Sequence, residues 1–236
     1  MNEILIIPDV HGRGFWREAV KKYPDIPTIF LGDYHDPYPY ENISEAESLR
    51  NFKEILEYAE AHDNVQLLLG NHDLHYLCNF GEACRLDYGN SAEIHSMLCD
   101  SLPKMKIADV RQVGGKTVMF SHAPILTDWI ESVGLPDNPN ELADSLNALL
   151  ESIVADPWTA EKMLTHTSPW RGGYDPFGSP IWADMREISN NILPTVDYSI
   201  FGHTQLHEGA VITDRWANLD CRKAFLLTSD LKLIRT

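Results

Sequence analysis

Acidic, imidazole and amide side chains follow three apolar, strand-like runs of this sequence. Residues 4–7 lead into Asp9 and His11, residues 28–31 into Asp33 and Asp36, and residues 65–69 into Asn71, His72 and Asp73. If the runs are parallel strands joined by right-handed crossovers, the three loops meet at one edge of a sheet, where open α/β sheets bind ligands. Carboxylates this close repel one another and take up protons unless cations lie between them. The pattern predicts a metal site in which Asp33, on the middle strand, is shared between two ions.

Two helices are predicted to connect these strands. Residues 15–23 can form a short helix that ends before Pro24. Ser44 and Glu47 form a capping-box pattern, and apolar residues with a period near 3.6 follow as far as Ala59. The order β-α-β-α-β is the one that the shared edge requires.

Further strands are predicted in the second half of the chain. Residues 106–113 and 116–121 flank Gly114 and Gly115, a pair suited to a tight hairpin turn. The second arm ends at His122, and residues 198–201 lead into Gly202 and His203. Later runs at 209–212, 224–228 and 231–234 are also read as strands.

One domain over residues 1–236 is predicted, with residues 125–195 as a cap-like insertion of helices and loops. This insertion contains an apolar stripe typical of core packing, with partner binding as the weaker alternative: Leu142, Leu146, Leu149, Leu150 and Ile153. Residues 168–182 are dense in Gly, Pro and aromatic side chains, which is typical of a long functional loop. We expect that loop to overhang the metal edge.

Composition restricts the partners and the compartment. The 236 residues carry a formal charge of −16, which opposes general binding to nucleic acid or to an anionic membrane. Neither a membrane-length apolar run nor a targeting segment is evident, so a soluble, cytoplasmic protein is expected. The cysteines lack Cys-x-x-Cys spacing and are read as thiols in a reducing compartment: Cys78, Cys84, Cys99 and Cys221. The sequence does not indicate an oligomeric state.

Five motifs in order resemble those of the calcineurin-like metallophosphoesterases. They are Asp9-Val-His11, Gly32-Asp33-Tyr-His-Asp36, Gly70-Asn71-His72-Asp73, Ser121-His122 and Gly202-His203. Each motif alone is weak, whereas all five in order span nearly the whole chain. The run from Asp9 to Arg13 is similar to the Ser/Thr protein phosphatase branch. The resemblance implies an αββα sandwich of two mixed sheets flanked by helices.

The resemblance also implies a ligand set and a mechanism. The first metal would bind Asp9, His11 and Asp33, and the second Asp33, Asn71, His122 and His203. These mixed ligands suit Mn, Fe, Zn, Co or Ni, with Mn favoured for activity. Two such ions activate a shared water, so that hydroxide attacks a bound phosphate in line. His72 would be the general acid and Asp36 the carboxylate that orients it, although a lone histidine there would more often cap or pack a helix.

Two positions depart from the family pattern. Gln205 stands where many members have a second histidine on the first metal. Its side-chain carbonyl could bind the metal weakly, Gln205 could instead contact a metal ligand, or water could take the position. Pro37 stands where the phosphatase branch has a phosphate-binding arginine. Candidates for that role elsewhere are Arg13, Arg171 and Arg186.

The expected function is metal-dependent hydrolysis of a phosphomonoester, in a phosphoprotein or a small nucleotide. A phosphodiesterase or nuclease is one alternative, which the acidic charge disfavours, and a dinucleoside polyphosphate hydrolase is another. A non-catalytic scaffold that keeps the fold without metals belongs to a different class, and the nearly complete ligand set argues against it. No motif in residues 125–195 is diagnostic of the natural substrate.

Overall fold

Eleven strands form two mixed sheets in the computed structural model, which describes residues 3–78, 85–153, 157–189 and 191–236. The strands are β1 (Ile4–Ile7), β2 (Thr28–Phe30), β3 (Val65–Leu68), β4 (Met105–Lys106), β5 (Ala108–Val113), β6 (Lys116–Ser121), β7 (Tyr198–Phe201), β8 (Val211–Ile212), β9 (Trp216–Asn218), β10 (Phe225–Leu227) and β11 (Leu233–Arg235). The first sheet has the order β11-β10-β1-β2-β3-β4 and the second the order β5-β6-β7-β9-β8. The strand that carries Asp33 is therefore central, as predicted.

The first sheet is parallel from β1 to β4 and antiparallel at β10 and β11. In the second sheet β6, β7 and β9 run parallel, and β5 and β8 are antiparallel edge strands. Two sequence expectations are corrected here. The predicted strand over 106–113 is divided at Ile107, where the chain passes from one sheet to the other, and the three-residue strand β9 was not predicted.

Alternate residues of β1 belong to different parts of the core. Ile4 and Ile6 belong to the cluster between the two sheets, and Leu5 and Ile7 pack in the cluster that includes helix residues. Because both faces of the strand are covered, its sequence is apolar throughout. The two mixed sheets and their flanking helices are the predicted αββα sandwich.

Seven α-helices accompany the sheets in the described residues. They are α1 (Phe15–Lys22), α2 (Glu45–Ala61), α3 (Asn71–Leu77), α4 (Ser91–Ser101), α5 (Thr127–Val133), α6 (Pro139–Ser152) and α7 (Pro157–Leu164). Helices α1 and α2 make the two predicted crossovers. The capping box of α2 is present, since Ser44 Oγ accepts from Glu47 N at 3.3 Å and Glu47 Oε2 accepts from Ser44 N at 2.9 Å.

The hairpin between β5 and β6 turns at Gly114 and Gly115, whose φ values of +57° and +81° suit glycine. In the predicted insertion, the apolar stripe of α6 is buried core, with Leu149 only partly buried. Asn147 on α6 also bonds the backbone of Ile107 and Ala108. Whether residues 125–195 act as a cap stays a prediction.

Cys99 and Cys221 are free thiols, the Cys78 thiol is buried and donates to the Leu74 carbonyl at 3.3 Å, and Cys84 lies outside the described residues. Among the helices of the described ranges, none has the length and apolar character needed to cross a membrane.

Candidate metal centre

The predicted site residues meet where β1, β2, β3, β6 and β7 end. Four of them have left-handed backbone conformations, with φ of 45° at His11, 54° at Asp33, 56° at Asp36 and 65° at His203. Residues with a Cβ rarely adopt this conformation, which costs about 1–2 kcal/mol per residue. Backbone strain is therefore concentrated in the loops that carry the motifs, as is common at functional sites.

Asp33 is buried, and its two carboxylate oxygens face different histidines. Oδ2 lies 3.3 Å from His11 Nε2, and Oδ1 lies 3.6 Å from His122 Nε2. Oδ1 also accepts a hydrogen bond from the His72 N–H at 2.9 Å. One carboxylate thus joins two separate groups of potential ligands.

The group on the Oδ1 side contains Asn71, His122 and His203. Asn71 Oδ1 lies 3.1 Å from His122 Nε2 and 2.9 Å from His203 Nδ1, and the two histidine nitrogens are 3.1 Å apart. His122 Nδ1 contacts the Leu31 carbonyl at 2.8 Å, so Nε2 is the nitrogen whose lone pair faces the group. Together with Asp33, these three side chains are the predicted ligands of the second metal.

On the Oδ2 side, His11 Nδ1 contacts the His35 carbonyl at 3.0 Å, which leaves Nε2 to face Asp33. Asp9 is buried beside this group, and both of its oxygens accept from the His203 N–H, at 3.1 and 3.0 Å. Among the described residues, Asp9 lies outside the triads whose ligand atoms are all within 4.8 Å of one another. Of the predicted first-metal residues, His11 and Asp33 therefore face each other. Asp9 lies beside them and is held by the backbone N–H of His203.

The electrostatics and the space of this edge fit divalent cations. Burial is the main cause that raises the pKa of Asp9 and of Asp33 well above the usual range, and it lowers the pKa of His11 and His203. Uncharged histidines present lone pairs, and the crowded carboxylates lack a compensating charge. Two glycines let backbone approach the carboxylates closely, since a Cβ at Gly70 or Gly202 would lie 2.1 or 1.9 Å from an oxygen of Asp33 or Asp9.

His72 is the second residue of helix α3 and is oriented by Asp36. His72 Nδ1 lies 2.8 Å from Asp36 Oδ2, which also lies 2.8 Å from His75 Nε2, and the Tyr76 hydroxyl donates to Asp36 Oδ1 at 2.5 Å. Burial raises the pKa of Asp36, but the hydrogen bonds from both histidines outweigh it and lower that pKa. The carboxylate stays ionised, which the predicted orienting role requires.

Asp73 joins two of the motif loops. Its carboxylate accepts from the backbone N–H groups of Asp33 and Tyr34 at 2.8 and 3.1 Å, and from Gly70 at the start of α3 at 2.8 Å. Asp73 thus caps the start of α3, and the same side chain also positions Asp33.

The three candidate arginines are all held by carboxylates. Arg13 Nε donates to Glu41 at 2.8 Å, and Arg171 and Arg186 both pair with Asp184, at 2.8 and 2.7 Å. Arg171 also donates to the His203 carbonyl at 3.0 Å, so it supports the loop of the fifth motif.

Arg85 is a site residue that sequence reasoning missed. Its Nη2 lies 3.4 Å from His72 Nε2, its Nε donates to the Asp36 carbonyl at 3.3 Å, and the guanidinium lies 3.7 Å over the ring of Tyr38. In the described part of the chain it forms no ion pair with a carboxylate. Position 85 belongs to a stretch without periodicity, so no sequence pattern indicated it.

Gln205 and Asp220 complete the edge. The Gln205 amide contacts the Tyr40 hydroxyl, with Oε1 at 3.2 Å and Nε2 at 3.0 Å. Asp220 follows the unpredicted strand β9 and is buried next to the loop of Gly202 and His203. Its backbone carbonyl accepts from the Leu206 N–H at 2.8 Å.

The loop at 168–182 lies beside the second ligand group, where it was expected. The Pro180 carbonyl accepts from the N–H of Ala123, next to His122, at 2.8 Å. The ring of Trp182 is 6.0 Å from that of His203. Aromatic side chains thus border this side of the edge.

Fold and site together define a metallophosphatase-type α/β sandwich. Residues 3–206 match the family model of the calcineurin-like phosphoesterases, and the chain belongs to that family. Membership implies a hydrolase that acts on phosphoesters, and the His/Asp groups could hold metal.

Solved structures resemble the fold at low sequence identity. A metallophosphoesterase from Sphaerobacter thermophilus superposes with a TM-score of 0.50 and 14% identity, covering 100% of this chain and 88% of its own. A hypothetical protein from Pyrococcus horikoshii OT3 superposes with a TM-score of 0.47 and 11% identity, covering 100% of this chain and 87% of its own. No curated protein matches the sequence.

Asp33→Asn is expected to stabilise the metal-free protein. Burial and then the charge of Asp73 raise the pKa of Asp33, so at pH 7 the carboxylate is less stable in the metal-free fold than in the unfolded chain. Each unit of that shift costs about 1.4 kcal/mol, and an amide avoids the cost. Urea unfolding with a chelator at pH 7 should show a free energy of unfolding higher by roughly 1 kcal/mol or more.

The difference should shrink near pH 4, where the unfolded carboxyl also protonates. Equal or lower stability of the variant at pH 7 would contradict this account of the metal-free site.

Proposed function

We propose that this protein hydrolyses phosphomonoesters with two divalent transition-metal ions, Mn²⁺ foremost among Mn, Fe, Zn, Co and Ni. The observation that carries the proposal is Asp33, whose two oxygens face separate groups of imidazole, carboxylate and amide donors. Asp9, His11 and Asp33 would hold one ion, and Asp33, Asn71, His122 and His203 the other. When bound, such a pair neutralises charge on phosphate and activates a water.

His72 is assigned the proton that the leaving oxygen requires. Its Nδ1 faces Asp36, so its Nε2 is the nitrogen available to substrate. Burial is the main cause that lowers the pKa of His72 to about 4; Asp36 opposes this lowering, and the charge of Arg85 contributes to it. A phosphate dianion placed against Nε2 favours the charged imidazole, because opposite charge raises a histidine pKa. Binding of the substrate itself would therefore favour protonation of His72, which can then act as the general acid.

Arg85 is assigned the phosphate contact. Its guanidinium is stacked on Tyr38 next to His72 Nε2, and within the described residues its positive charge has no carboxylate partner. A guanidinium can donate two parallel hydrogen bonds to phosphate oxygens. Phosphate would also take Arg85 away from His72, which removes one cause of the low histidine pKa.

A monoester suits this arrangement better than a diester. A monoester dianion has three terminal oxygens for the metal edge and Arg85 together, whereas a diester has two and carries one negative charge. The formal charge of −16 also opposes nucleic acid. Phosphoproteins and small nucleotides remain the proposed substrates, and dinucleoside polyphosphates, phosphodiesters and a non-catalytic scaffold are the alternatives that the following measurement separates.

The Mn²⁺-loaded protein is expected to turn over phosphomonoesters faster than phosphodiesters, dinucleoside polyphosphates or a blank. In the same assay His72→Asn should keep its metal and lower turnover of alkyl monoesters by roughly 10²- to 10⁴-fold, the usual contribution of a positioned acid. The loss should be smaller for nitrophenyl phosphate, because nitrophenolate departs without a proton. Steady-state kinetics on wild type and variant measure both effects.

The matched control is His62→Asn, since His62 follows α2 at the opposite end of the strands and should leave turnover unchanged. Equal losses for good and poor leaving groups, or loss of metal from His72→Asn, would show that His72 is a ligand or a structural residue. Absence of turnover on the whole panel by the metal-loaded protein would favour the scaffold.

Arg85→Met is expected to lower kcat/KM for phosphomonoesters by about 10- to 100-fold, since a hydrogen bond to a charged group contributes about 1.5–3 kcal/mol. Metal content should not change, because Arg85 contacts no predicted ligand. Arg85→Lys should recover only part of the loss, as an ammonium cannot donate a planar pair of bonds. Arg17→Met, which removes a partly exposed arginine paired with Glu54, is the control. Unchanged kcat/KM in Arg85→Met would exclude the proposed contact.

A further inference from the structure

Asp220 lies beside the metal edge through the pairing of two parallel strands. Strand β9 pairs with β7 in a register that places Asn218 opposite Phe201. His203 comes two residues after Phe201, and Asp220 comes two residues after Asn218. Both residues therefore leave the sheet at the same end, and the Leu219 N–H bonds the Phe201 carbonyl at 2.9 Å to hold them together.

The Asp220 carboxylate is buried without adequate partners. The residue is 1% exposed, and across the described ranges Oδ1 accepts no hydrogen bond. A buried polar atom left without a bond costs about 1–3 kcal/mol, and more when it is charged. A buried carboxylate oxygen without a hydrogen bond is the kind of group that a bound cation can satisfy.

The contacts around Asp220 point to the side where the first metal was predicted. The loop of Gly202 and His203, which lies beside Asp220, reaches Asp9, since the His203 N–H donates to both Asp9 oxygens at 3.1 and 3.0 Å. Burial raises the pKa of Asp220 to about 6, and the charge of Arg13, followed by those of His122, Arg222 and Arg171, lowers it. Arg13 already donates hydrogen bonds through Nε to Glu41 and through Nη1 to the Asp9 carbonyl. The carboxylates of Asp9, Asp33 and Asp220 thus share one buried region.

The side chain that the family pattern offers at this place is engaged elsewhere. Gln205 would stand in for a histidine on the first metal, but its amide contacts the hydroxyl of Tyr40. Without it, Asp9, His11 and Asp33 are the only ligands predicted for the first ion. A further donor would complete a common coordination number.

We propose that Asp220 binds the first metal ion as a carboxylate ligand, in the position that Gln205 leaves open. The proposal rests on the dimetal site of the proposed function. Three carboxylates and one imidazole make this ion's surroundings rich in oxygen, whereas the second ion has two imidazoles, an amide and the shared Asp33. Oxygen ligands suit Mn²⁺ better than imidazole-rich sets do. The two sites should therefore differ in metal preference.

Calorimetric titration of the metal-free protein with Mn²⁺ tests the assignment. Wild type should take up two ions. In Asp220→Asn the dissociation constant of one ion should rise at least tenfold, which is about 1.4 kcal/mol, and that of the other should stay within a factor of about three of wild type. Asp109→Asn is the matched control. Asp109 is also buried, but it pairs with Lys106 at 2.6 Å, so both ions should bind to this variant as in wild type. Unfolding in a chelator checks that each variant is folded.

Asp220→Cys provides an independent measurement that does not depend on affinity. A thiolate bound to Cd²⁺ gives an ultraviolet charge-transfer band. The absorbance of Cd²⁺-loaded Asp220→Cys should exceed that of Cd²⁺-loaded wild type by the contribution of one thiolate per protein molecule. Two tightly bound ions in Asp220→Asn, or no added band in Asp220→Cys, would overturn the assignment and leave Asp220 as a partner of Arg13. Failure of wild type to bind any metal would instead contradict the proposed function itself.

Discussion

Repulsion between buried carboxylates is the constraint on which the rest of this structure depends. Asp9, Asp33 and Asp220 lie where strands of both sheets end, each almost fully buried. Burial is the main cause that raises the pKa of all three, and neighbouring carboxylates add to it for Asp9 and Asp33. Nearby histidines have lowered pKa values and so remain uncharged ligands and not counter-ions. Divalent cations would resolve this conflict, and the His/Asp groups of the edge could hold them.

The surrounding backbone holds this arrangement against strain. His11, Asp33, Asp36 and His203 are in left-handed conformations that glycine would adopt more easily. The His11 N–H bonds the Asp33 carbonyl at 2.7 Å, and Asp73 bonds the backbone of the same loop. The sandwich thus supplies rigid strand ends, and the loops between them accept a conformational cost of about 1–2 kcal/mol per residue so that ligands converge.

Local patterns were sufficient for much of the fold and of the predicted site. The apolar runs before Asp9, Asp33 and Asn71 are long enough to read as buried strands, and the Ser44 cap and the Gly114-Gly115 turn have short-range chemical signatures. Residues that act through distant contacts were missed. Arg85 contacts His72 across 13 positions of sequence and lies in a stretch without periodicity, and Asp220 follows a strand of three residues whose position depends on β7. The second histidine on Asp36 is another contact that tertiary structure alone defines.

Whether Asp33 bridges two ions, as proposed, can be measured directly by electron paramagnetic resonance of the protein loaded with Mn²⁺. Two ions that share one carboxylate are magnetically coupled, and their spectrum differs from that of isolated Mn²⁺. The account predicts a coupled spectrum in wild type and its loss in Asp33→Glu, whose longer side chain displaces both oxygens. A spectrum of isolated Mn²⁺ in fully loaded wild type would contradict the central claim that Asp33 joins two metal ions.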